Sequence, residues 1–522
     1  MPDERRATFG IDFRLPEDAP KTGAIVFMID GLNRDVFAEL LAAGRLPNFQ
    51  KYFIDRGLYI ERAVVSVPGI TIVNETSLVT GLFPGHHGIT GNTWFDRNHL
   101  LWRNYECHDS KNAVDSDYAA ATIFERLGNA TTFSLFHQVH RGATKFTENW
   151  TSAGPPYFFG WYGLVDRITL WRFDLVAEVA RKRGAWPVLT FVYQLTPDME
   201  AYRSGVSSGD YRWGIEHADA HIGRILRDLE SAGLLDQLVL ALVSDHGTMD
   251  ITRRWSVRDH LRKTLGLNAA MEWEVEAPKF ETRLDRYAKF SCVTSRGDRY
   301  WALYLRKPKS DAGRAAKPDF EDWLPRPTVA ELKDYPTSDG RRLNLIDELL
   351  KAEAVDTVAC ADGPGRVLLT TKTGAVELAA EAGRKAYRAR VIAGEDPLGY
   401  RGTPAEALLD GQPHDDLAWL RLTADTPYPD LAPQMLAYFE GPRAADLAVF
   451  ATPGWNFGFE NKAGHGGLHP TEMFVPMILA GPGVPHERRT EPARTVDLMP
   501  TLLHLLGRPV PTDIDGRNLL AK

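Results

Sequence analysis

"AIVFMID", residues 24–30, is the stretch on which the fold turns. Six apolar residues run without alternation into Asp30, and after a glycine the spacing of "NRDVFAELLAAG" (33–44) becomes helical. A strand apolar on both faces belongs inside a sheet covered by helices on either side, which is the habit of parallel sheets. The pattern recurs: "VLTFVYQLTPD" (188–198) ends at Asp198, and "LVLALVSDHG" (238–247) ends at Asp245 and His246. Between them "YRWGIEHADAHIGRILRDLESAG" (211–233) reads as a covering helix, on which His217 and His221 are surface histidines rather than ligands. The expected fold class is α/β, a mostly parallel central sheet with helices on both faces. Ligands in such sheets gather at the carboxyl ends of the strands, so three acidic residues converge on one edge.

Carboxylates crowded at an edge repel one another, and a divalent cation held by Asp oxygen and His nitrogen is the common remedy. Two histidine segments can complete the set: "SDHGTMD" (244–250), and "NKAGHGGLHPTEMFVPMILAGPG" (461–483), where glycines flank His465 and let backbone approach a ligand. Thr196 as N-cap and Pro197 at the first helical position mark a helix start. Asp198 and Tyr202 then form an i, i+4 pair on one face.

Composition narrows the rest. The chain has 522 residues, 44% hydrophobic and 25% charged, with net charge -8 and pI about 6.0. No global positive field exists to recruit a nucleic-acid polymer or an anionic membrane. The first residues lack an apolar signal core, and no run approaches the ~18 apolar residues of a membrane span. Three separated cysteines, Cys107, Cys292 and Cys360, fit a reduced compartment. A cytoplasmic location is the expectation.

"VPGITIVNETSLVTGLFPGHHGITGN" (67–92), with "IDG" at 29–31, "PD" at 197–198, "SDHG" at 244–247, "AGHGG" at 463–467 and "PTEMFVPMILAGPGVP" at 470–485, resembles the type I phosphodiesterase and nucleotide pyrophosphatase branch of the alkaline phosphatase superfamily. The resemblance implies two divalent ions, zinc by family habit: one at Asp30, Thr71, Asp245 and His246, the other at Asp198, position 202 and His465. It implies a metal-dependent hydrolase of phosphate esters in which Thr71 attacks phosphorus and becomes transiently phosphorylated. The family carries histidine at position 202, where this chain has Tyr202. A tyrosinate ligand, a weakened second site and recruitment of another side chain are all open, as is a non-catalytic metal-bound relative.

Asn74 either donates its amide to a phosphoryl oxygen or caps the helix that follows. An asparagine donor favours a phosphodiester or pyrophosphate; a phosphomonoesterase needs extra cationic partners, for which Arg141 and Lys145 are the candidates. The expected partner is a small nucleotide-like phosphate ester, and the aromatic "ENWTSAGPPYFFGWYG" (148–163) is a candidate ring-stacking segment. A sulfatase would need Cys or Ser in a Cys/Ser-x-Pro-x-Arg context, and "SVPGITIV" (66–73) lacks the arginine. The expected organisation is a catalytic domain in two parts, 20–270 and 436–520, interrupted by an inserted smaller α/β cap over 271–435 that shapes specificity and excludes water.

Overall fold

The computed structural model of the protein describes residues 22–106, 114–147, 150–184, 186–270, 274, 287–308, 320–383 and 385–521. The readings made on the N-terminal leader and on Cys107 lie outside these residues.

Gly23–Ile29, Leu189–Gln194 and Leu238–Val243 are strands, and they are neighbours. Gly23–Ile29 runs between the other two, parallel to both, with Ile29 beside Gln194 and Met28 beside Val243. Their side chains divide as a two-faced strand requires. Ala24, Val26 and Met28 enter one core with Val73 and Leu78 of the helix Thr71–Thr80 and with Leu498, Leu502 and Leu503 of the helix Leu498–Leu505. Ile25, Phe27 and Ile29 enter another with Leu40, Phe173, Ile222 and Leu226. The α/β architecture with helices on both faces is therefore the one observed. Among the described residues this sheet has nine strands, and Phe474–Ala480 runs against its neighbours Gly57–Val64 and Leu238–Val243.

A second sheet of nine strands, mostly antiparallel, is built from Ala269–Ala270 through His414–Asp415 together with Leu447–Ala451. Leu447–Ala451 lies downstream of residue 435 and sits in the middle of the sheet, between Tyr300–Leu305 and Val355–Ala361. Two buried ion pairs tie this sheet and its helices to the central one, and a third ties it to the separate hairpin Thr93–Asp96 with Leu101–Asn104. Arg299 meets Glu472 at 2.7 and 3.0 Å, Arg494 meets Asp430 at 2.7 and 2.8 Å, and Arg97 meets Asp446 at 2.8 Å. Cys292 and Cys360 are buried and free.

Candidate functional site

Strand ends bring the acids together. Asp30 follows Gly23–Ile29 and its N–H donates to Gln194 O at 2.9 Å, which fixes the edge at which it emerges. Asp245 and His246 follow Leu238–Val243 and are fully buried. The Nδ1–H of His246 donates to Gly247 O at 3.1 Å, leaving Nε2 as the lone pair of the ring. That lone pair faces three oxygens: Thr71 Oγ1 at 3.2 Å, Asp245 Oδ2 at 3.2 Å and Asp30 Oδ1 at 3.3 Å. Burial pushes His246 down to about 3, so the ring is neutral and the Thr71 hydroxyl is the donor to it. Ligands of one tetrahedral ion with bonds of about 2.05 Å sit about 3.3 Å apart. The spacing of this quartet is thus that of a metal position.

Burial, and then the charges of Asp245 and Asp198, hold Asp30 well above the usual carboxylate range, and burial does the same to Asp198 with Asp245 next in weight. Asp30 Oδ1, Asp198 Oδ1 and Asp245 Oδ2 are buried without a hydrogen-bond partner, the mark of groups arranged for a cation. Asp30, Asp245 and His246 form one group with ligand spacing, and Asp198, His246 and His465 another. Gly31 adopts φ +63°, and a β-carbon there would come within 2.5 Å of Asp198 Oδ1, so only glycine lets the two strand ends close on each other.

Asp198 lies in the first turn of the helix Thr196–Ser204, whose N-cap is Leu195 and not the expected Thr196. The capping group comes from elsewhere: buried Asp166 accepts from Leu195 N at 2.9 Å and Thr196 N at 3.0 Å. One turn along, the Tyr202 hydroxyl lies 2.5 Å from His465 Nε2, while His465 Nδ1–H donates to Gly69 O at 2.8 Å. The rings of His465 and His246 stack at 3.5 Å. Burial, then the charges of Asp198 and Asp298, raise Tyr202 well above the ordinary tyrosine value. The glycines around His465 serve a neighbour rather than a ligand: β-carbons at Gly464 and Gly466 would meet Asp298 Cβ at 3.0 Å and Tyr300 Cβ at 3.3 Å.

Placement bears on three sequence readings. Asn74 does not face the site: fully buried, its Nδ2 donates to Ser66 O and Pro68 O at 3.1 Å, and its Oδ1 accepts from Ser66 N at 2.7 Å. It pins the loop beneath Thr71 and is a positioning residue. Arg141 is consumed by Glu125 at 3.0 Å and by carbonyls of residues 115–120, and its guanidinium lies over Tyr118. Lys145 begins the edge strand Lys145–Thr147 and is exposed.

Three residues that sequence reading missed stand at the site. Asn92 shares a cavity of about 260 Å³ with Asp30, Thr71, Asp198 and Tyr202; its Oδ1 accepts from Ile72 N at 3.0 Å and its amide nitrogen donates to Glu106 Oε1 at 3.5 Å. Glu106 borders the same cavity. Asp298, from the second sheet, borders an adjoining cavity of about 150 Å³ with Tyr202 and His465. It accepts from Asn461 at 3.0 Å and is pushed up to about 7 by burial. Tyr105, Phe136, Tyr157 and Tyr193 form an aromatic wall around the larger cavity, and Tyr157 comes from the aromatic segment singled out in the sequence.

Comparison with known proteins agrees with this geometry. The chain is 24% identical over 245 residues to an uncharacterized pyrophosphatase/phosphodiesterase of Schizosaccharomyces pombe, covering 43% of this chain and 44% of that one. It is 24% identical over 220 residues to the bis(5'-adenosyl)-triphosphatase ENPP4 of Bos taurus, covering 40% and 45%. The chain thus spans under half the length of these curated relatives. Its fold superposes on murine ectonucleotide pyrophosphatase/phosphodiesterase 5 with a TM-score of 0.57 at 16% identity, covering 95% of this chain and 99% of the other. The family model for type I phosphodiesterase / nucleotide pyrophosphatase matches residues 24–316, and the chain belongs to that family.

Proposed function

We propose that the protein is a metal-dependent hydrolase that cleaves phosphodiesters or pyrophosphates of nucleotide-like small molecules through a phosphorylated Thr71. The observation that carries this reading is the quartet around His246 Nε2, in which the only weakly acidic member is the Thr71 hydroxyl. Asp30, Asp245, His246 and Thr71 would hold a divalent ion, zinc by the habit of the family. When bound, such an ion supplies a Lewis acid that neutralises the carboxylates and makes a hydroxyl oxygen nucleophilic at neutral pH.

The chain does the rest. Thr71 opens the helix Thr71–Thr80, so its oxygen stands at the positive end of the helix dipole, where a phosphoryl group is favoured. Asn74 anchors the loop below and fixes the angle of attack. The Asn92 amide borders the cavity as a donor to a non-bridging oxygen. Attack forms the Thr71 oxygen–phosphorus bond and breaks the bond to the departing alcohol or phosphate; water then returns Thr71 to its hydroxyl and releases the phosphorylated product.

Charge favours a diester over a monoester. Among the described residues, the lining of the cavity around Thr71 includes Glu106 and no Lys or Arg, and Arg296 of the adjoining cavity faces Glu106 at 3.7 Å, so a second negative charge on the reacting phosphorus lacks a cationic partner in that lining. The aromatic wall suits a flat ring. Murine ectonucleotide pyrophosphatase/phosphodiesterase 5 has been solved in an inactive form with AMP, which supports the nucleotide class. The test is turnover of an aryl phosphodiester, an aryl phosphomonoester and an aryl sulfate by the wild type and Thr71→Ala. Diester turnover abolished in Thr71→Ala with zinc content retained supports the reading; diester turnover surviving in that variant, or preference for the monoester, overturns it.

A further inference from the structure

We propose that Tyr202 closes the second metal position, so that the protein holds one divalent ion, at Asp30, Thr71, Asp245 and His246, and admits a second only at free metal at least tenfold higher. This rests on the metal-dependent reading above. The two positions differ in geometry, not only in residue type. At the first, the lone pair of His246 looks at three oxygens 3.2–3.3 Å away, the separation that ligands of one ion require. At the second, the lone pair of His465 is already filled. With its Nδ1–H committed to Gly69 O, His465 Nε2 receives the Tyr202 hydroxyl at 2.5 Å. An ion bonded to both atoms at about 2.05 Å would see them at about 75°, far inside the tetrahedral angle of about 109°.

The phenol is held in place from three sides. Its backbone carbonyl accepts from Lys462 N at 2.8 Å, which ties the helix Thr196–Ser204 to the short strand Ala463–Gly464 just before His465. Asp298 lines the same small cavity as the hydroxyl and is itself fixed by Asn461 at 3.0 Å. The backbone at Gly464 packs against Asp298, since even a β-carbon there would lie 3.0 Å from Asp298 Cβ. To enter, an ion must break the Tyr202–His465 hydrogen bond; with His246 committed to the first position, Asp198 and His465 are the two protein ligands left to it, where a zinc site uses three or four. Asp298 cannot complete the set from where it stands: among the described residues, the groups with ligand spacing contain Asp198, His246 and His465 without it. It belongs to the second sheet, so the closure of this position is built by both sheets together.

The experiment counts metal and does not rely on turnover. Full-length wild type, Tyr202→His and Tyr202→Phe are equilibrated with a buffered series of free zinc, and ions per chain are measured by plasma mass spectrometry, with the ultraviolet difference spectrum followed for ionised tyrosine. The expected wild type reaches one ion per chain and takes a second only at free zinc at least tenfold higher, with no tyrosinate band. Tyr202→His takes two ions, the second at free zinc at least tenfold below that needed by the wild type. If that variant fails to fold, Tyr202→Phe decides, because losing the hydroxyl frees His465 Nε2 and should lower the free zinc needed for the second ion. Two equal ions in the wild type, a tyrosinate band growing with the second ion, or weaker second binding in Tyr202→Phe would each overturn the proposal. Aryl diester turnover at saturating zinc, measured on the same samples, separates its failure from that of the functional reading: the count can fail while diester turnover persists.

Discussion

Replacing Arg299 by methionine asks whether the second sheet is an attachment or a structural part of the site. Arg299 and Glu472 are both fully buried. Besides the two contacts to Glu472 at 2.7 and 3.0 Å, the guanidinium donates to Thr452 O at 3.0 Å, Trp455 O at 2.6 Å and Ala451 O at 3.2 Å. Glu472 Oε1 also accepts from Gly467 N at 2.7 Å, two residues from His465, and Glu472 O accepts from Gly247 N at 2.9 Å, one residue from His246. Arg299→Met therefore leaves a buried carboxylate uncompensated, which costs about 3–5 kcal/mol, and strips donors from three carbonyls. Removing both charges in Arg299→Met/Glu472→Leu should cost less than the single change, because no charge is left without a partner. The assay is urea unfolding followed by tryptophan fluorescence, with zinc content measured alongside. A loss below about 1 kcal/mol in Arg299→Met with zinc content intact would refute the coupling and favour a separable cap.

Other outcomes follow from the same geometry. Asn74→Ala, which orphans the backbone groups of the loop under Thr71, should lower stability by about 1–3 kcal/mol and reduce kcat for an aryl diester more than it raises KM. A chelator should lower the thermal midpoint, and zinc should restore it in proportion to ln(1 + [Zn]/Kd); a midpoint indifferent to both would count against a cation among Asp30, Asp198 and Asp245. Burial raises Asp166 from 3.8 to about 6, so its protonated form is favoured in the folded state. Its contribution is fully present below about pH 4 and is lost as pH rises to about 6, at most about 3 kcal/mol. Asp166→Asn should flatten that part of the stability profile of the metal-free protein; an unchanged slope would remove Asp166 as its source.

The central sheet was legible because a run such as Val239–Val243 is apolar on both faces and ends at an acid, a pattern that exposed loops and covering helices do not produce. Asp30, Asp198, Asp245 and His246 were legible for the same reason, since strand ends fix where their side chains emerge. What depended on partners distant in sequence was not. Asn74 and Asn92 look equally able to face Thr71 until the structure shows that Ser66 and Pro68 have claimed the first. The start of the helix at Thr196 was displaced by one residue because its cap comes from Asp166, thirty positions upstream. Asp298 sits in "TSRGDRY" (294–300), a turn between strands with no periodicity or ligand spacing to announce it. Arg141 carried charge, and no spacing or motif around it signals that Glu125 and three carbonyls absorb it.

The place of Phe474–Ala480, between Gly57–Val64 and Leu238–Val243, has a consequence for how the protein is made. Until that strand is made, Gly57–Val64 is a lone strand, since its other partners Glu487–Arg489 and Ala493–Arg494 come later still, and Leu238–Val243 is an open edge of unpaired N–H and C=O groups. Such edges are templates for pairing with other chains. Synthesis halted before residue 474 should thus yield aggregating material rather than a weakened enzyme.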